Sequence, residues 1–157
     1  IKLYNQNRIL TVLKHMPGHG LSKKDTHLKL PYVLNKLDYL NKNDFLVFRN
    51  KKSLFAMTAH IVFSALDEND CITHSKKAIK YIRKKIGFKN LIITDDISMK
   101  ALKYSFKKNV KKAFASGCNL VLHCNANIHE MNYLAKLSPT VNQFIAKKTS
   151  EFYKQVS

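Results

Sequence analysis

Residues 75–96, SKKAIKYIRKKIGFKNLIITDD, decide the fold. Ser75 is a helix-capping residue, and Ala78, Ile79, Ile82 and Ile86 follow at spacings of one, three and four, which predicts a helix closed by Gly87. Its lysines fall on the other face. The continuous apolar run Leu91-Ile92-Ile93-Thr94 then predicts a strand buried on both faces, as parallel strands are. It ends on two acids, Asp95 and Asp96.

The same unit recurs on either side. Ile9–Leu13 is apolar and ends in Lys14-His15; Leu54–Ala59 ends in His60; Leu120-Val121-Leu122 ends in His123-Cys124-Asn125. A second helix is expected from Met99 or Lys100 to Ser116, stopped by Gly117, and a last amphipathic helix from Val141 to Val156, with Phe144, Ile145, Lys148, Phe152 and Val156 on one side. No repeat or low-complexity linker interrupts the chain. The order β, long loop, β, α, β, α, β, α predicts an α/β fold with a parallel sheet and right-handed crossovers. All strand ends then share one rim, which gathers Lys14, His15, His60, Asp95, Asp96 and His123. Such a rim carries the active site in a (β/α)8 barrel, and the crevice beyond it does so in an open sheet. A barrel needs eight strands and about 250 residues; this chain of 157 residues offers four runs.

Composition narrows the function classes. Hydrophobic residues make up 45% and charged residues 24%, an ordinary globular balance that fits neither disorder nor a membrane protein. No apolar run approaches the roughly 20 residues of a membrane-spanning helix. The formal charge of +18 suggests a polyanion surface at first sight. Only Arg8, Arg49 and Arg83 are arginines, however, and arginine is the residue that grips phosphate and guanine bidentately. Solvated lysine faces are the expected reading, with nucleic acid not expected as a partner and a basic, non-enzymatic polyanion-binding protein as the rival. Cys71, Cys118 and Cys124 are odd in number and lack CxxC spacing, which points to packed thiols in a reducing, cytoplasmic compartment rather than to a metal site. The chain starts Ile1-Lys2-Leu3 with neither methionine nor a secretory pattern, so the expectation is a lost leader, a lost longer N-terminal part, or a cut.

Three motifs carry candidate chemistry. Lys14-His15-Met16-Pro17-Gly18-His19-Gly20 cannot be a regular helix, so His15 and His19 are not a helical zinc pair. A strand ending in a cation and an imidazole before a glycine-rich turn suits the fixing of polar substrate groups, or is an ordinary sharp turn. In Asp25-Thr26-His27, the carboxylate can orient an imidazole that trades protons near neutral pH, although the spacing also occurs on plain surfaces. Asp95 and Asp96 can be nucleophile, base, metal ligand or helix cap; the cap suits Asp96, and Asp95 at the strand end points into the rim.

Taken together, KHMPGHG (14–20), DTHLKLP (25–31), AMTAHIVFSALD (56–67), IRKKIGFKNLIITDDISMKAL (82–102) and SGCNLVLHCN (116–125) resemble family-three glycoside hydrolases. The subgroup is that of bacterial β-N-acetylhexosaminidases, which trim N-acetylglucosamine from muropeptides in peptidoglycan recycling. The resemblance implies that residues 1–157 are the C-terminal half of a TIM barrel, strands five to eight, with the N-terminal half absent and a complementary N-terminal polypeptide as a possible partner. It implies Asp95 as the nucleophile, His27 held by Asp25 as acid/base, and Lys14 and His15 on the sugar hydroxyls. No metal and no cofactor are implied. Other family members bring an acid/base glutamate from a second domain; the only glutamates here are Glu68, Glu130 and Glu151. Asn90 stands where the family pattern usually has glycine, and Asn119 where aspartate is common. Half a barrel exposes two sheet edges, so the chain is expected either to need that complementary polypeptide or to be an inactive remnant, and alone to aggregate, self-associate or remain loosely folded and to lack useful activity.

Overall fold

The computed structural model describes residues 1–22 and 29–156. In chain order the elements are α1 (Lys2–Gln6), β1 (Val12–Met16), β2 (Tyr32–Val33), α2 (Leu37–Lys42), β3 (Phe55–Thr58), β4 (Val62–Phe63) and α3 (Lys76–Tyr81). They continue with β5 (Leu91–Asp96), α4 (Phe106–Ser116), β6 (Leu120–Leu122), α5 (Ile128–Leu137) and α6 (Gln143–Val156). Four strands form one sheet in the order β1-β3-β5-β6. Every neighbouring pair is parallel, with Val12 opposite Phe55, Phe55 opposite Leu91, and Ile93 opposite Leu120. The α/β reading therefore holds. A short second ladder, β2 with β4, was not foreseen; two residues per strand leave no periodicity to read.

The deciding stretch folds as its residues dictate. Ser75 Oγ accepts the Ala78 N–H at 3.1 Å, and the same hydroxyl donates to Asp67 Oδ2 at 2.6 Å. The last turn of the helix, Ile82–Ile86, widens to π spacing and stops at Gly87, whose φ of 84° is a left-handed conformation that glycine adopts without a Cβ penalty. Ala78, Ile79, Ile82 and Ile86 are all buried, against Met16, Ala56 and Ile92 of the sheet.

Two boundaries differ from expectation. The first strand begins at Val12 rather than Ile9, because the chain leaves α1 through a left-handed residue, Arg8, with the Ile9 N–H held by the Tyr4 carbonyl. The helix expected from Met99 starts only at Phe106. Ser98 is pulled into a turn by Asp96, and the Asn109 side chain bonds the Tyr104 carbonyl at 3.0 Å. Met99, Ala101 and Leu102 are buried in the irregular segment before α4. Helix α5 was missed, although Asn127 caps it by accepting the N–H groups of His129 and Glu130, and Asn-x-x-Glu is a helix-start pattern.

The sheet is covered on one face only, contrary to the continuous apolarity of its strands. Ala56, Thr58, Ile92 and Thr94 are buried on the helical side. The alternate residues Phe55, Met57, Ile93 and Leu120 are half-buried, and Val12 is 44% exposed. Period-two alternation places these on the opposite face. Only its end is shielded, where Phe152 of α6 meets Phe55 edge-on at 5.7 Å. Among the described residues β1 and β6 have no outer neighbour, so each presents unpaired backbone groups.

One buried titratable group sets an expectation for stability. His74 is buried beside the Tyr104 ring and its Nε2 has no partner. Burial first, then the nearby His60, pushes its pKa down to about 4. An unfolded histidine takes up a proton near pH 6.5. Between those values the unfolded chain binds more protons, so stability falls as pH falls. Urea melts from about pH 7 to about pH 5 should show a loss of about 2 kcal/mol from this group. His74→Phe should flatten the slope by that amount; an unchanged slope would contradict a neutral His74.

Candidate active site

Parallel pairing brings the C-terminal ends of β1, β3, β5 and β6 to one rim. β1 delivers Lys14, which is exposed, and His15, which is half-buried. β5 delivers Asp95 and Asp96. Although β3 lies between them, His15 and Asp95 meet, with His15 Nε2 at 3.3 Å from Asp95 Oδ2. The other oxygen, Asp95 Oδ1, accepts the Asp96 N–H at 2.8 Å. One carboxylate oxygen is thus fixed by the backbone and the other faces an imidazole in a partly open setting. Burial holds the pKa of His15 below its ordinary value. Asp95 opposes that shift, while His19, Lys14 and His60 reinforce it.

The turn after β1 is held from a distance. The peptides Lys14–His15 and Met16–Pro17 are cis, and the His15 and His19 rings lie 5.2 Å apart. Asp44, which follows α2, accepts the Gly20 N–H at 3.2 Å through Oδ1. A Cβ on Gly18 would fall 2.3 Å from Asp44 Oδ2, closer than atoms can pack. Oδ2 is buried without a partner, and burial raises the Asp44 pKa. Nothing in the sequence announced Asp44, since the contact spans 24 residues and belongs to no local motif.

The other rim candidates separate by environment. Asp96 is an organiser: its Oδ1 accepts the Ser98 N–H at 3.0 Å and the Cys124 N–H at 3.1 Å. The cap assigned to it is therefore a turn cap, not the start of α4. His60 is buried, with Nε2 3.0 Å from the Asp96 carbonyl and Nδ1 2.8 Å from Thr73 Oγ1. His123 pairs through Nε2 with Glu130 Oε2 at 2.7 Å, and Asn125 Nδ2 donates to the same oxygen at 2.9 Å. Those bonds, His123 first, lower the Glu130 pKa. Asp25 and His27 lie outside the described residues.

The thiols divide likewise. Burial pushes Cys71 and Cys118 up to about 12, and only Cys124 is exposed. Among the described residues no three His, Cys, Asp or Glu side chains are grouped to hold a metal ion, and no helix is long and apolar enough to cross a membrane.

Residues 1–148 match the glycosyl hydrolase family 3 N-terminal domain. The chain belongs to glycosyl hydrolase family 3. A β-hexosaminidase of Haemophilus influenzae is 34% identical over 145 residues, covering 86% of this chain and 41% of that protein. One of Nitrosomonas eutropha is 32% identical over 122 residues, covering 74% of this chain and 35% of its own length. The structure of NagZ from Neisseria gonorrhoeae with N-trifluoroacetyl-D-glucosamine superposes with a TM-score of 0.78 at 29% identity, over 91% of this chain and 42% of that one. A family 3 β-N-acetylglucosaminidase from Paenibacillus sp. shares the fold over 99% of this chain, with a TM-score of 0.85 at 23% identity, and 32% of its own length. This family 3 chain therefore spans about a third to two fifths of the length of these two curated relatives.

Asn119 and Asn90 are both bonded into the fold. Asn119 Oδ1 accepts the Ile92 N–H at 2.9 Å and Arg83 Nη2 at 2.7 Å. A neutral amide oxygen thus serves both donors. Asn90 donates to the Ser53 carbonyl at 2.8 Å, tying the entry of β5 to that of β3.

The Gly18–Asp44 contact is testable. Gly18→Ala should destabilise the chain by about 1 to 3 kcal/mol in urea melts, the usual cost of forcing an atom into a filled site. Gly20→Ala, with its nearest approach at 3.2 Å, should cost less. Equal effects would show that Asp44 yields freely and does not hold the turn.

Proposed function

We propose that this chain contributes the nucleophilic part of a retaining glycosidase site that releases terminal β-linked N-acetylglucosamine, with Asp95 as nucleophile. The observation that carries the reading is the Asp95 carboxylate at the end of β5, with Oδ1 fixed by the Asp96 N–H and Oδ2 facing His15. A carboxylate anchored through one oxygen presents the other along a defined line, as attack on a sugar C1 requires.

The chemistry runs in two displacements. Asp95 forms a bond to C1 as the glycosidic C–O bond breaks, and the departing oxygen takes a proton from the acid/base. Water then adds to C1, giving its proton to the same group, and the bond to Asp95 breaks, so configuration is retained. The family resemblance assigns the acid/base to His27, oriented by Asp25. Lys14 and His15 bind sugar hydroxyls in this reading, with His15 favoured in its neutral form by burial. The similarity to a β-hexosaminidase and to a structure holding N-trifluoroacetyl-D-glucosamine supports the amino-sugar substrate. A muropeptide substrate, a role in cytoplasmic peptidoglycan recycling and a complementary N-terminal polypeptide that supplies strands one to four extend the proposal. The unpaired edges of β1 and β6 favour such completion, with β1, β3, β5 and β6 of this chain as barrel strands five to eight.

The test is a completed barrel, made by joining the N-terminal strands of the Haemophilus relative to this chain. It should hydrolyse a chromogenic N-acetyl-β-glucosaminide, with the β-anomer as the first product by NMR. Asp95→Ala should cost about three orders of magnitude or more in kcat/KM, as loss of a nucleophile does. An inverted first product, or unchanged turnover in Asp95→Ala, would remove Asp95 from the mechanism.

A further inference from the structure

Behind Asp95 lies a line of three buried polar side chains that the proposed displacement does not use. Thr58, Thr73 and His60 are each no more than 1% exposed. Thr58 Oγ1 is 2.8 Å from Thr73 Oγ1, Thr73 Oγ1 is 2.8 Å from His60 Nδ1, and His60 Nε2 is 3.0 Å from the Asp96 carbonyl. They come from different places in the chain: the end of β3, the loop after it, and the short turn Ile72–His74. Fully buried hydroxyls and imidazoles are retained where every donor and acceptor is matched.

The direction of the protons follows from one fixed end. The Asp96 carbonyl can only accept, so Nε2 must carry the imidazole proton. A neutral imidazole then has a lone pair on Nδ1, which must be met by the Thr73 hydroxyl proton. Thr73 Oγ1 is left to accept from Thr58. The reversed arrangement would set the Nε2 lone pair against the carbonyl lone pairs in a site without solvent, at the cost of an unpaired buried acceptor.

We propose that His60 is a positioning residue for the Asp95 carboxylate, acting through the Asp96 backbone, with the Asp96 carbonyl selecting the tautomer and Thr73, backed by Thr58, holding the ring in place through Nδ1. Asp96 offers one backbone group to each side: its carbonyl to His60 and its N–H to Asp95 Oδ1 at 2.8 Å. Fixing the carbonyl keeps the N–H aimed, and the aimed N–H leaves Oδ2 directed at His15. The charged and titratable groups around His60 are Asp95 and Asp96 of β5, His15 of β1, and His74 of the adjoining turn. The carboxylates favour the imidazolium, but burial outweighs them and holds the pKa of His60 below its ordinary value. The positioning state is therefore the neutral one. Its bearing on hydrolysis rests on the function proposed above; its geometry does not.

The experiment reads the geometry in the full chain without turnover. Magic-angle-spinning NMR of the [15N]histidine-labelled protein reports imidazole tautomers whether or not the chain self-associates, and the His60 signals are identified by their loss in His60→Gln. The expected result is an Nε2–H tautomer that stays neutral at mildly acidic pH. Thr73→Val, which keeps the volume and removes the hydroxyl, should leave the Nε2–H tautomer in place, shift the His60 Nδ1 signal as its hydrogen bond is lost, and lower the titration midpoint of His15, because Asp95 is released from beside it. If Thr73→Val fails to fold, Thr58→Val removes the outer hydroxyl alone and should produce the same two shifts in weaker form. An Nδ1–H tautomer in the unmodified chain would overturn the proposal, as would a His15 midpoint unmoved by loss of the hydroxyl. Absence of glycosidase turnover in the completed barrel would fail the functional reading and leave these signals as they are.

Discussion

Asp96 is the junction on which the site depends. Its N–H holds Asp95, its carbonyl holds His60, and its carboxylate holds Ser98 and the Cys124 N–H at the end of β6. Three strands are tied at their functional ends by one residue that itself takes no part in the chemistry proposed. A parallel sheet alone fixes strand ends only to within the freedom of their last residues, where ladder hydrogen bonds run out. Here the register between β5 and β6 shifts between Ile93 and Asp96, so side-chain and backbone bonds at Asp96 supply the order that the ladder no longer provides.

The parts legible in the sequence are those governed by local rules. Ser75, the Ala78–Ile86 spacing and Gly87 specify a helix without outside help, and LIITDD specifies a buried strand that ends in acid. Asp95 and Asp96 stand out in the sequence because two of only 10 acids sit together directly after a buried run. What was missed depends on long-range closure. Asp44 acts across 24 residues on Gly20, and Thr73 finds His60 only once the loop after β3 has folded back. His60 and His123 both follow apolar runs, as His15 does, yet one is buried under Asp96 and the other is engaged by Glu130. Strand-end position placed them on the rim; only packing could say which of them faces outward.

The charge of the chain is distributed in the same sense. No acidic residue occurs from Cys71 to Thr94, or from Ile97 to His129, so Asp95 and Asp96 interrupt a long cationic stretch, with Glu130 beside His123 as the next acid along the chain. Few of those lysines have defined roles: Lys103 and Lys112 pair with Asp70 around the Tyr104 ring. Arg83 differs in kind. It is drawn inward to the carbonyls of Phe88 and Asn90 and to Asn119, and its planar fork reaches these acceptors from two separate nitrogens, a spread that a lysine's single ammonium does not have. The scarcity of arginine thus marks where guanidinium geometry is needed, and the abundance of lysine marks where only solubility is.

The uncovered face of the sheet links stability to chemistry. Met57, Ile93 and Leu120 are half-buried on the side opposite the helices, and that side continues to the strand ends where Asp95 stands. Covering it with further strands would bury apolar area worth about 25 cal/mol per Å² and pair the outer groups of β1 and β6. It would also withdraw water from the rim. Desolvation is already the leading influence on His15 and His60, and both have their neutral forms favoured by it. Deeper burial strengthens every interaction of the Asp95 carboxylate with its fixed donors. A covering that satisfied the sheet edges would therefore also sharpen the electrostatics around Asp95, the nucleophile of the proposed reading, so that the stability of the sheet and the strength of the site's fixed interactions depend on the same burial.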